Sequence, residues 1–333
     1  MQRRWTATTA FLGVVFAFAL AQAQQTSEPA ALFPSRPVQL VIPFAPGGSS
    51  DTVMRLLAQT VSKEWKQPIV IDNRVGATGA IAGEYVVRQP ADGYTLLNAA
   101  PTSHTALRAL RRDLPYDPMT DLVPVTLLTT APMMLVVNPK NVPVNTVQEL
   151  IEYAKANPGK LSYASTGLGS VAHLSMELFK LLTNTDMLHV PYRGNAPALN
   201  DLLAGNVDLT IDVSSSVNPH LKSGTIRSLG ATTPKRTEFD PDMPTVAETV
   251  PGFQAQSWNG IVVRAGFPPD IAEKIGRDFN RAVRQPEAVK LLNSILLQPV
   301  GSSPAEFLEF IKADQARWER VVSEIKLNVP GPK

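Results

Sequence analysis

Short apolar runs alternate with helix-period patterns along the chain. Candidate strands fall at 38–42, 69–72, 94–97, 134–137, 161–164, 187–190, 207–211, 226–230 and 258–263. Between them, helices are expected at 50–64, 78–88, 146–156, 170–182, 196–204 and 216–223. The first carries Val53, Leu56, Leu57 and Val61, and the fourth carries Val171, Leu174, Leu178 and Leu182. Apolar positions spaced three and four apart line one helix face, so each helix should pack on a sheet. Strand–helix alternation of this kind argues for an α/β fold with parallel strands and crossover helices. From residue 269 the pattern reads as helical throughout. Ser303-Pro304-Ala305-Glu306 is a capping box with proline at the first helical position, which starts a helix near 304. The stretch 231–256 is turn-rich, with Pro234, Pro241, Pro244, Pro251 and Gly252. It reads as an ordered surface excursion whose prolines limit its entropy.

The N-terminus departs from this pattern. Arg3 and Arg4 precede an apolar stretch, and Ala19-Leu20-Ala21 or Ala21-Gln22-Ala23 fits a small-residue cleavage site. That is the form of a secretory signal peptide over 1–23, too short and too quickly followed by polar residues for a membrane anchor. Its removal takes away two arginines and no acid, moving the formal charge from +2 to 0. The 333 residues are 44% hydrophobic and 18% charged, enough for two lobes with cores of their own. No basic block exists to hold phosphates, so nucleic acid is not an expected partner. The absence of cysteine excludes disulfides, thiolate metal sites, a cysteine nucleophile and a lipid-modified N-terminal cysteine.

One device occurs twice. An apolar strand runs into a Gly/Ser turn that opens a helix at Gly47-Gly48-Ser49-Ser50, and again at Thr166-Gly167-Leu168-Gly169-Ser170. Such a turn leaves backbone N–H groups unpaired at the positive end of a helix and suits an anion. Neither turn holds the lysine of a nucleotide-binding P-loop. Gly167-Leu168-Gly169-Ser170-Val171-Ala172 matches G-x-G-x-x-A, yet Pro191-Tyr192-Arg193 follows the next strand where a dinucleotide fold needs an acid; Arg193 could suit a 2′-phosphate, which keeps a dehydrogenase as a minor alternative. A small carboxylate, held by amides and hydroxyls of the two turns, needs no side-chain cation. No G-x-S-x-G elbow or shared metal spacing among His104, His173, His189 and His220 suggests catalysis or a metal, and no cofactor is expected.

These stretches, together with 70–97, 189–212 and 226–249, resemble the substrate-binding component of the tripartite tricarboxylate transporters, the Bug or TctC family. The resemblance covers nearly all of the chain after the leader. It implies a two-lobed periplasmic binding protein-like II (Venus flytrap) fold, each lobe a mixed sheet flanked by helices. The first lobe would take 33–125 plus 226–333, the second 126–225, with the ligand in the cleft between them. The implied binding residues are Ala45, Gly47, Gly48, Ser49 and Asp51 in the first turn, and Thr102 and Ser103 after the third strand. The second turn would supply Ser165, Thr166, Gly167, Gly169 and Ser170, with His173 on its helix. Tyr192, Arg193, Gly194 and Asp212 would close the far side. Asp51 reads better as a helix-start acceptor and Asp212 slightly better as a turn cap, while His173 reads equally as an ion-pair partner of Glu177 and Arg193 as a hinge salt bridge. Arg193 stands where the family often has lysine; its planar fork favours a second carboxylate.

The expected function is therefore capture of a small organic carboxylate by an exported, monomeric, non-catalytic protein. Delivery would be to the membrane permease subunits of a tripartite tricarboxylate transporter. A sensor kinase or ABC-type permease is the alternative client, and an exported α/β enzyme acting on a carboxylate is the alternative of another class.

Overall fold

The computed structural model describes residues 29–111, 113–237 and 240–325. The expected leader at 1–23 lies outside them. The described chain opens with β1 (Val38–Ile42), α1 (Ser49–Trp65), β2 (Ile69–Asn73), α2 (Ala80–Val87) and β3 (Thr95–Ala99). β1 pairs in parallel with both β2 and β3. Side chains alternate across a strand, so Val38, Leu40 and Ile42 enter one core while Val41 enters the opposite one. Both faces are covered, which is why the run is apolar without interruption.

After α3 (Thr105–Leu110) comes β4 (Leu122–Val137), 16 residues long. The expectation at 134–137 caught only its end. Pro124 and Pro132 punctuate the run, and two register shifts against its neighbour absorb irregularity near the first of them. Then follow α4 (Val147–Ala156), β5 (Ser162–Ser165), α5 (Val171–Thr183), β6 (Leu188–Pro191), α6 (Asn195–Ala204), β7 (Leu209–Val213), α7 (Ser214–Lys222) and β8 (Arg227–Ala231). The chain ends with α8 (Val246–Thr249), β9 (Gln256–Arg264), α9 (Pro269–Val283), α10 (Pro286–Ser294), β10 (Gln298–Pro299) and α11 (Pro304–Ile325).

The strand order is β2-β1-β3-β9-β4-β7-β5-β6, with β8 and β10 also on β4. β4 belongs to two sheets. Its residues Leu122–Pro132 pair antiparallel with β9, and Met133–Val137 pair antiparallel with β7 and β8. The sheets are thus mixed, as the resemblance implied, rather than parallel throughout, as the alternation alone suggested.

Four apolar clusters cover both faces of both sheets. Two expectations need correction. β8 pairs with Met134–Val137, and Val246, Val250, Phe253 and Ala255 join the core of the second sheet. A lobe boundary at 226 therefore does not follow the sheets, and neither does one at 126, inside the pairing with β9. The C-terminal tail is not helical throughout either: β10 interrupts it, pairing Gln298 and Pro299 with Thr130 and Thr129. The excursion at 231–256 is ordered by a capping box at Thr245 and Glu248 and by the Arg236–Glu248 ion pair at 2.8 Å.

Candidate functional site: a cleft between two sheet edges

In open α/β sheets, ligands gather beyond the carboxyl ends of the parallel strands. Here β1, β2 and β3 run out into loops at 43–48, 74–79 and 100–103, and β5, β6 and β7 into loops at 166–170, 192–194 and 213–214. Two hydrogen bonds bring the two sets together: the Val171 amide donates to Thr102 Oγ1 at 3.3 Å, and the Ser215 hydroxyl donates to Ser49 Oγ at 3.3 Å. The Ser214 hydroxyl adds a bond to the Leu296 carbonyl, between α10 and β10, at 3.2 Å. The loops of the first sheet therefore face those of the second.

In the first turn, Gly47 takes a positive φ of 81° and Gly48 caps α1 without a side-chain bond. Among the described residues, the amides of Ser49, Ser50 and Asp51 have no acceptor. These are the orphan donors of a helix start, free for an anion. Ala45 spends its carbonyl on the Gly48 amide, at 3.5 Å. Asp51 takes the structural of its two expected roles. Its carboxylate is 3% exposed and faces its own turn, accepting from the Gly47 amide at 2.9 Å, Arg55 at 2.8 Å and Asn73 at 2.9 Å. Burial opposes its ionisation, but those bonds outweigh it and hold the carboxyl below its usual range. It shapes the turn, and an anion site gains from having that charge already neutralised. Gly47 likewise has no amide to offer a ligand.

The second turn is more fully used by the protein. Ser170 accepts from the His173 amide as the N-cap of α5, and its own amide goes to the Gly167 carbonyl. The Gly169 amide donates to His173 Nδ1 at 3.1 Å, and the Gly167 amide to Ser165 Oγ at 3.2 Å. Ser165 in turn bonds His189 Nε2 at 2.7 Å. The imidazoles of His173 and His189 stack at 4.0 Å, with Tyr163 beyond His189. Burial, helped by the neighbouring His189, pulls His173 down to about 4. It is a neutral brace for the turn and not the ion-pair partner of Glu177, which instead takes Lys180 and the Tyr163 hydroxyl. The amides of Thr166, Leu168 and Ala172 are the ones without an acceptor among the described residues.

Around these turns, Ser103 packs under Gly79 and bonds the Ala100 carbonyl, so it supports the loop. Tyr192 gives its hydroxyl to Asp201 at 2.6 Å. Asp212 is 5% exposed and accepts from the Val213 amide and the Asn195 side chain. Burial raises its carboxyl to about 6. It caps and anchors, with both oxygens taken. Gly194, at φ 113°, turns the chain into α6. Arg193 just before it is exposed and has no partner among the described residues, so the hinge salt bridge is not formed.

The two helix starts do not meet each other directly. α1 faces the start of α7 through Ser49 and Ser215, and α5 faces the turn Pro101–Ser103. Sequence reasoning placed Ser50 and Leu168 in the two turns without making them binding residues, and it missed Ser214 and Ser215. The triple serine at 214–216 carried the signal: hydroxyl residues before Val217 mark a helix start. It also missed Ala77 and Thr78, both left-handed at φ 46° and 59°, between Gly76 and Gly79 in the loop after β2. Non-glycine residues held this way are strained, and such strain gathers at ligand-facing loops. A separate open groove of about 690 Å³ lies along the β2 edge, lined by Arg55, Gln59, Lys63 and Ile69 among others. No group of three or more metal-ligating side chains occurs among the described residues.

Comparison with known proteins places this architecture. Residues 53–327 match the family model described as the tripartite tricarboxylate transporter family receptor. Protein BugT of Bordetella pertussis is 37% identical over 294 residues, covering 88% of this chain and 90% of that protein. The structure of R. palustris Rpa4515 with adipate superposes with a TM-score of 0.83 at 39% identity, covering 89% of this chain and 99% of that one. MatC of Rhodopseudomonas palustris with bound malate gives 0.80 at 34% identity, covering 87% and 100%. The two-lobed α/β fold is that of periplasmic binding proteins, and the chain belongs to the tripartite tricarboxylate transporter receptor family, TctC.

Proposed function

We propose that this protein captures a small organic carboxylate between its two lobes in the periplasm and hands it to the membrane permease subunits of a tripartite tricarboxylate transporter. The observation that carries the reading is the set of acceptor-free amides at Ser49, Ser50 and Asp51, opposed across the cleft by the hydroxyl of Ser215. Hydrogen bonds to a charged group contribute about 1.5–3 kcal/mol each, and a helix start adds about 0.3–1 kcal/mol. After ordering costs, that supports micromolar binding, about −8 kcal/mol. Thr166, Leu168 and Arg193 offer a second station for an anionic or polar group at the other lobe. Relatives solved with adipate and with malate are in keeping with a ligand carrying two acid groups.

Following the sheets, the lobes divide at two crossings of the chain, near 132 in β4 and near 255 before β9. On this reading the protein is a receptor, in keeping with its family, and works as a monomer. A leader removed on export accounts for the first 23 residues.

A thermal-shift panel on the mature protein tests this. One or more mono- or dicarboxylates should raise the melting temperature, by the equivalent of about 2.7 kcal/mol at 100 times Kd, while the matching amides do not. A panel in which amides stabilise as well as acids would contradict it.

A further inference from the structure

We infer that Asp314 and Thr105 form a positioning pair for the ligand site, an inference that rests on the carboxylate-capture reading. α11 is one continuous helix serving both sheets: Phe307 and Ile311 enter the core of the first, Trp318 and Val321 that of the second. At the changeover sits Asp314, 1% exposed. Its Oδ2 accepts from Thr105 Oγ1 at 2.6 Å, Trp258 Nε1 at 3.0 Å and Trp318 Nε1 at 3.3 Å, and Arg317 pairs with Oδ1 at 2.8 Å. A carboxylate in this place is tolerable only because four donors satisfy it.

Thr105 is where this knot reaches the cleft. It opens α3 three residues after Thr102, whose Oγ1 takes the first amide of α5 from the opposite sheet. The segment between is held at both ends. His104 between them is buried, its Nδ1 without a partner among the described residues and its ring edge-on to Trp258. The tethers here are Thr102 to α5 and Thr105 to Asp314. The second links the height of the turn Pro101–Ser103 to the helix that spans both lobes. Asp314 touches no ligand; it acts through Thr105 by fixing Thr102 and its amide where the second turn arrives.

The isosteric change Thr105→Val removes the hydroxyl and leaves the two indoles and Arg317 on Asp314. Thr105→Ser restores it. In the ligand-free protein, the amides of Ser103 and His104, which bond the Ala100 and Pro101 carbonyls, should exchange with solvent about tenfold faster in Thr105→Val than in wild type. They should return to near the wild-type rate in Thr105→Ser. In titrations with adipate and with malate, Thr105→Val should weaken binding about five- to tenfold with the melting temperature of the free protein little changed. Unchanged exchange at Ser103 and His104 overturns the positioning role, as does equal loss in the Val and Ser variants, which would mark a packing effect. Wild-type protein that binds neither acid contradicts the capture reading for those ligands, and the exchange comparison then decides the positioning role alone.

Discussion

At the scale of single residues, charge is handled by burying it against donors, and that makes pH a sharp probe. Asp212 has its carboxyl raised to about 6 by burial, against an ordinary value of 3.8. The folded state holds that proton more tightly than the unfolded chain. Its stabilising contribution is therefore complete below pH 3.8 and is lost as pH rises through 6, about 3 kcal/mol in all. Asp212→Asn should remove this contribution, so that the melting temperature falls more steeply from pH 6 to pH 4 than in wild type; an unaltered pH profile would contradict this. His104 and His173 work in the opposite sense. Burial pulls both down to about 4, so the unfolded chain takes up their protons first as pH falls. Stability should drop as pH falls from 6.5 towards 4, and imidazole shifts followed by NMR should keep both rings neutral at pH 5.5. Arg193 carries a separate prediction. Arg193→Gln should weaken dicarboxylates about tenfold and leave monocarboxylates nearly untouched, measured by calorimetry. Which of these side chains look outward was legible only in part. Arg193 enters as a ligand group through the family resemblance, on a par with a hinge salt bridge. Asp51 and His173 stand beside the right turns, yet the partners that consume them, Asn73 and the Gly169 amide, are set by backbone geometry that no spacing rule reports.

At the scale of elements, the pattern of apolar positions placed most strands and helices within a residue or two. β1 at 38–42 and α4, expected at 146–156 and found at Val147–Ala156, are examples. Both have a clean period and clear end signals. β4 was truncated because prolines in a strand mimic a boundary, and only the partner strands reveal that the chain runs through them. α3 was missed because six residues are too few to show a period. β10 was missed because a two-residue strand exists only through its pairing with β4. Packing at the β9–α11 contact is close enough to test. A Cβ built on Gly260 would lie 2.3 Å from Phe307 Cζ and 2.8 Å from the Thr126 carbonyl oxygen. Gly260→Ala should therefore destabilise by about 1–3 kcal/mol in denaturant titrations, through overpacking. A neutral result would mean that α11 is free to shift away from the sheet.

At the scale of the whole molecule, two sheets share one strand and are clamped by one helix, and their carboxyl edges look at each other. The duplicated strand–turn–helix device pointed to that cleft from sequence. The pairing of α1 with α7, and of α5 with the turn after β3, did not follow from it, because partners across a cleft are fixed by how the lobes meet. The claim on which the account rests is that free main-chain donors at these edges hold an acid group. The most direct measurement is a map of backbone amide shifts on adding a carboxylate that binds. The account predicts the largest changes at Ser49, Ser50 and Asp51, with Thr166 and Leu168 following. Changes confined to the groove along Arg55, Lys63 and Ile69, with the helix starts silent, would contradict it.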